Sequence, residues 1–150
     1  FRNPVIHDSG GVYARDRLFG MAGVAPADLD LVSMYDAFTY EALLQYESWG
    51  FCSFGEAGEF VKDGRTRIDG LLPTNTGGGL LSEGYIHGLN LVQENVRQLR
   101  HRADDACPGW SEGRHTYDRA AGCRQVRKAH LAASLASIEE RASGVVLRSL

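Results

Sequence analysis

Two short apolar runs each lead straight into a segment of helical period, and this alternation restricts the chain more than any other feature. Residues 29–34 (LDLVSM) are apolar and partly alternating, the pattern of a buried strand. Residues 37–49 follow with Phe38, Leu43, Leu44 and Tyr46 along one side, which predicts a helix. The second run, 71–75 (LLPTN), reads as a strand entering Gly77, Gly78 and Gly79. Residues 85–101 then place Ile86, Leu89, Val92, Val96 and Leu99 at amphipathic-helix spacing. Ahead of both runs, Val12, Leu18, Phe19 and Ala22 also recur at helical spacing. Asp8 or Ser9 can cap the start of that helix, and Gly23 its end. A turn is expected at 26–28, and two closing strands at 123–135 and 144–150. The order is helix, strand, helix, glycine-rich loop, strand, helix, strand, strand. It predicts an α/β layer with a mixed sheet whose last two strands are antiparallel.

The remaining segments are less regular. Residues 50–70 carry five glycines without a clean period, so an excursion with short β pieces is expected. Residues 104–122 are polar and turn-rich, the composition of a surface insertion. The 150 residues suffice for one domain, and 43% hydrophobic with 23% charged residues is ordinary for a soluble globular protein. A net charge of −3 gives no electrostatic reason to expect nucleic acid. No apolar run approaches the roughly 20 residues of a membrane span, and no stretch has the pattern of a signal peptide. Cys52, Cys107 and Cys123 lack CxxC spacing, which argues for no metal site and for a reducing cytoplasm. The chain starts at Phe1 inside an already organised pattern, so a piece of something longer is expected.

Chemistry on an alternating α/β layer gathers where strands hand over to helices. Two segments qualify, 34–38 (MYDAF) and 77–88 (GGGLLSEGYIHG), and each carries a tyrosine, Tyr35 and Tyr85. Taken singly, both read as amphipathic core residues with satisfied hydroxyls, and the glycine run as a plain turn.

Taken together and in order, 30–38 (DLVSMYDAF), 50–64 (GFCSFGEAGEFVKDG) and 72–88 (LPTNTGGGLLSEGYIHG) resemble the C-terminal half of thiolases of the sterol-carrier-protein type. The resemblance covers roughly residues 12–103 and implies a thiolase-like fold. Its departures carry the meaning. Those thiolases have His-Asp-Cys-Phe or Asn-Glu-Ala-Phe where this chain has Tyr35, Asp36, Ala37 and Phe38, and Gly-His-Pro where it has Gly84, Tyr85 and Ile86. Their Cys-x-Gly before the final strand has no counterpart in 132–144, which contains no cysteine. Claisen chemistry on this fold uses that histidine and cysteine, so thiolysis lacks its residues.

The double-tyrosine version, with 115–118 (HTYD) and 122–126 (GCRQV), is similar to the lipid-transfer-protein-type aldolases of actinobacterial steroid degradation. That resemblance implies retro-aldol cleavage of a steroid β-hydroxyacyl-CoA to propionyl-CoA and a 17-keto steroid. It implies no cofactor beyond the CoA thioester itself, a homodimer through the thiolase fold, and an OB-fold subunit of a companion hydratase as partner. Tyr85 is expected at the β-hydroxyl and Tyr35 as its partner, with the two roles interchangeable at this stage. His87, Asp36 and Asn75 are expected as supporting residues, Asp36 chiefly as a cap on the helix that follows. Gly77, Gly78 and Gly79 are expected as a substrate loop. Cys52 is expected to be buried and inert, and 124–128 (RQVRK) to be solvated. An acyltransferase drawing its cysteine from elsewhere, and a non-catalytic lipid-binding or scaffold subunit, are the alternatives.

Overall fold

The computed structural model describes residues 9–103 and 124–150. The expected insertion at 104–122, Cys107, Cys123 and the motif at 115–118 lie outside the described residues.

Three strands form one mixed sheet in the order β1-β2-β3: β1 (Leu31–Met34), β2 (Leu131–Ile138) and β3 (Arg141–Arg148). β1 runs parallel to β2, with Leu31 opposite Ala132 and Met34 opposite Leu135. β2 and β3 form an antiparallel hairpin, as expected for the closing pair, with Ile138 opposite Arg141 and Leu131 opposite Arg148. β1 has only four residues but all are buried, each large apolar one worth about 1.5–3 kcal/mol over exposure. The first closing strand starts later than expected, at Leu131 rather than at 123, because 124–130 is tied down by side-chain bonds instead of a ladder.

One face of the sheet meets α1 (Gly11–Ala22) and α2 (Thr39–Ser48) over a core of Val32, Met34, Ala133 and Leu135 with Phe19 and Trp49. Gly23 ends α1 at φ 67°, with the Val24 N–H donating to the Phe19 carbonyl at 3.1 Å, so the expected stop is present. The start of α1 differs. Its N-cap is Gly10, and Ser9 instead turns inward to bond Ser48 and Ser137.

The excursion at 50–70 holds no β pieces. It contains a single helical turn, α3 (Ala57–Phe60), and a 3-10 turn at Lys62–Gly64. The Glu47 carboxylate gathers it by accepting the Gly55 and Ala57 N–H groups at 3.0 and 3.1 Å. The expected strand at 71–75 reduces to one bridge, Thr74 beside Val32. Pro73 has no N–H to donate and Asn75 leaves the β region at φ 50°, so the ladder cannot extend.

The glycine run opens α4 (Gly79–Ser82), and α5 (Leu89–Leu99) covers the other sheet face. α5 starts four residues later than the sequence predicts, leaving Tyr85, Ile86 and His87 in the loop before it. Its buried side is also turned from the expected one. Leu91, Glu94, Asn95, Gln98 and Leu99 face inward, while Leu89 is 68% exposed.

Candidate active site

The sheet aims Tyr35. Ser33 donates its hydroxyl to Asn95 of α5 at 2.8 Å, and strand alternation puts Tyr35 on that same face, two residues on. The Tyr35 N–H continues the ladder by donating to the Leu135 carbonyl at 2.9 Å. From the other side, the Gln45 side-chain amide donates to the Tyr35 carbonyl, while its oxygen accepts the Ser137 N–H at 3.2 Å. Gln45 is fully buried. Sequence reasoning missed it, although a glutamine amid the apolar side of α2 was a visible signal.

Asn75 holds the next position. Its Oδ1 accepts the Met34 N–H at 2.7 Å and its Nδ2 donates to the Met34 carbonyl at 3.0 Å. One side chain thereby replaces the strand that 71–75 does not form, and fixes the backbone just before Tyr35.

Asp36 does not cap α2, whose N-cap, Phe38, has no side-chain cap. Its carboxylate points to the glycine run and accepts the Leu80 N–H at 2.7 Å. It fits there because Gly79 has no side chain, since a Cβ on Gly79 would collide with both Asp36 carboxylate oxygens. Gly77 similarly makes room for Glu94, 3.1 Å from where a Cβ would stand, and the Gly78 N–H donates to the Asn75 carbonyl at 2.8 Å. The space these glycines free is occupied by the protein's own carboxylates. Glu94 accepts from Thr76 at 2.7 Å and Gln98 at 3.0 Å, and pairs with Arg124 at 3.4 Å. Of 124–128, expected in solvent, Arg127 and Lys128 are exposed and the Arg124 side chain is 41% exposed, though Arg124 also reaches the Thr76 and Ala103 carbonyls; Gln125 and Val126 are buried instead.

On this ledge the two tyrosines meet. The Tyr35 and Tyr85 hydroxyls share a hydrogen bond in which either can donate, with ring centroids 6.1 Å apart at 74°. The His87 ring lies against Tyr85, centroid to centroid 4.8 Å, with His87 itself at φ 49°. Gly88 keeps the loop close, placing a Cβ position 3.9 Å from the Tyr35 ring. Tyr85 is 54% exposed, so the pair opens on one side to solvent.

The Tyr35 phenol is pushed up to about 12, first by the bond with Tyr85, then by burial, then by negative charge at Tyr85 and Glu41. A value raised above the ordinary 10 means that Tyr35 keeps its proton throughout the neutral range. Absorbance titration of tyrosinate should show one phenol ionising near 12. In Tyr85→Phe that phenol should return toward 10; titration unchanged by the substitution would contradict the pairing. Glu41, buried in the first turn of α2, has its carboxyl pushed up by burial and by Asp36, and pulled back by the Phe38 N–H.

Cys52 is half-buried, its thiol pushed up to about 11 by burial and then by Glu47 and Glu56, which makes it a poor nucleophile as expected. It lines a cavity of about 630 Å³ with Arg15, Phe19 and Trp49, and neither tyrosine of the pair borders that space. Among the described residues no helix is long and apolar enough to cross a membrane.

Known proteins are similar to this chain over much of its length. The lyase for 17-hydroxy-3-oxo-4-pregnene-20-carboxyl-CoA from Mycobacterium tuberculosis is 49% identical over 84 residues, 56% of this chain and 22% of that protein. A steroid side-chain-cleaving aldolase from Thermomonospora curvata is 46% identical over 84 residues, with the same coverage of 56% and 22%. The solved structure of an Ltp2-ChsH2(DUF35) aldolase superposes with a TM-score of 0.79 at 28% identity, over 99% of this chain and 34% of that one. The chain thus spans between a fifth and a third of these relatives. Residues 4–109 match the family model described as thiolase C-terminal domain-like, and on that match over most of its length the chain belongs to this family.

Proposed function

We propose that this chain is the C-terminal half of a two-half thiolase fold that cleaves a steroid β-hydroxyacyl-CoA by a retro-aldol reaction. The observation that carries the reading is the pair of phenol hydroxyls, bonded to each other, where the end of β1 meets the loop between α4 and α5 and one side lies open. The steroid substrate class comes from the relatives' names, a lyase of a pregnene carboxyl-CoA and a steroid side-chain-cleaving aldolase.

In the cleavage the β-hydroxyl gives up its proton, and the Cα–Cβ electron pair passes into the thioester enolate. A proton then adds at the α-carbon, releasing propionyl-CoA and a 17-keto steroid. No covalent nucleophile and no oxidant take part, and Cys52, its thiol pushed up to about 11, is not called on. Tyr35, which keeps its proton, is the donor of the pair. Tyr85, on the open side, accepts that bond; as phenolate, a form that the Tyr35 O–H favours by donating to it, it takes the β-hydroxyl proton and becomes neutral. Tyr35 then serves the thioester oxygen or returns a proton to the α-carbon. His87 braces the Tyr85 ring, and Asp36 and Asn75 hold the backbone on which Tyr35 stands. The loop of Gly77, Gly78 and Gly79 is the ledge from which the Tyr85 segment departs. The reading needs no cofactor besides the CoA thioester, and it includes a homodimer and a complex with an OB-fold hydratase subunit, in keeping with the two-component name of the structural relative.

Incubating the full-length protein with a β-hydroxy steroid CoA thioester tests this. Release of propionyl-CoA without added CoA is expected. A requirement for free CoA would replace cleavage by thiolysis, and no turnover would remove the enzymatic reading.

A further inference from the structure

The sheet register that places Tyr35 also places what stands beside it. Met34 lies opposite Leu135, so one residue further on Tyr35 lies beside Ala136. Across the hairpin, Ala136 pairs with Ser143 and Ile138 with Arg141. Tyr35, Ala136 and Ser143 therefore follow one another across three strands on one face, with Ile138 and Arg141 at the next position along the hairpin. Through β2, Leu131 to Leu135 and Ser137 are all buried, and Ala136 alone among 131–137 is partly open. The opening is a cavity of about 240 Å³, bordered by Tyr35 and by 136–138 and 141–143 of the hairpin.

This inference rests on the aldolase reading and specifies its substrate. We propose that the cavity seats the small substituent on the α-carbon of the acyl-CoA, and that Ala136 sets how large that substituent can be. Size is the first argument. Pockets for drug-sized ligands run from roughly 300 to 1,000 Å³, so a space of about 240 Å³ is too small for a four-ring steroid. Chemistry is the second. CoA is a polyanion, whereas this cavity offers one cationic side chain, Arg141, beside the hydroxyl residues Tyr35, Ser137 and Ser143 and the apolar Ala136, Ile138 and Ala142. Position is the third. Tyr35 borders the cavity and, in the cleavage, serves the thioester oxygen or the α-carbon, so the substrate group that reaches this space is the one attached there. The absent side-chain bulk at Ala136 is what leaves room for a methyl branch next to the phenol.

The test uses the full-length protein, with any subunit that co-purifies, and three β-hydroxyacyl-CoA thioesters sharing one ketone portion. The α-carbon carries hydrogen, methyl or ethyl, giving acetyl-, propionyl- or butanoyl-CoA. Ala136→Val is expected to lower kcat/KM for the α-methyl substrate about tenfold or more relative to the unbranched one, because the added methyl groups stand beside the Tyr35 ring, where the branch would enter. Ala136→Gly is expected to raise the relative kcat/KM of the α-ethyl substrate, and it decides the matter should the valine variant not fold. Unmodified protein that cleaves the substrates, with ratios that stay flat in both variants, overturns the cavity assignment and leaves the aldolase standing. Unmodified protein that cleaves none of them overturns both.

Discussion

Tyr85→Phe is expected to lower turnover of a β-hydroxy steroid CoA thioester about 10²–10⁴-fold, the range that a positioned acid or base contributes. The substitution removes one oxygen and leaves the ring, which rests edge-on to Tyr35 and against His87. Because Tyr85 is 54% exposed, the hydroxyl contributes little to folding, and its bond is worth about 1 kcal/mol or less net. Activity and stability therefore separate cleanly. Acyl-CoA release, followed by chromatography, should collapse while the thermal midpoint stays near that of the unmodified protein. Near-normal turnover in the variant would remove Tyr85 from the mechanism and leave only the family assignment.

Gly79→Ala is expected to cost roughly 2–5 kcal/mol of stability and most of the activity with it. Gly79 sits at φ 63°, where a side chain costs about 1–2 kcal/mol. Its new Cβ would land on the Asp36 carboxylate, which is only 7% exposed and already holds the Leu80 N–H at 2.7 Å. Overpacking of that kind adds about 1–3 kcal/mol. Asp36 has nowhere to retreat without moving Tyr35, its neighbour in the chain, so the hydroxyl pair loses register as the fold loosens. Gly77→Ala is the control, since its Cβ would meet Glu94 at 3.1 Å, a contact a small shift relieves. A Gly79→Ala protein that melts with the unmodified one would show that the glycine run is an ordinary turn.

The two closing strands, α1 with its glycine stop, and the helices at 39–48 and 89–99 were legible because each depends on local pattern: period, a cap, a run of β-branched residues. Where long-range bonds replaced local ones, legibility ended. The stretch 71–75 looks like a strand, yet Pro73 and the positive φ of Asn75 leave it a single bridge, completed by a side chain 41 residues from its partner Met34. The buried faces of α2 and α5 carry Gln45, Glu47, Glu94, Asn95 and Gln98, which hydropathy assigns to solvent. Each is buried because a specific donor or acceptor awaits it: the Tyr35 carbonyl, the N–H groups ahead of α3, the Thr76 hydroxyl, the β2 carbonyl of Ala133, the Arg124 carbonyl. Such partners are set by the fold and leave no periodic trace in the chain. Asp36 shows the same limit, because helix-cap reasoning looks three residues ahead while its actual donor, Leu80, lies 44 residues away.

By itself the sequence determined the α/β class, the family and a tyrosine, Tyr35, at the end of a strand, since periodicity and motif order are properties of the chain. Only the tertiary structure decided that the Tyr35 and Tyr85 phenols bond to each other, that the Tyr35 phenol is pushed up by its partner and by burial, and that a small cavity opens beside Ala136. Contact, desolvation and strand register are relations between distant segments, and they come into existence when the sheet assembles.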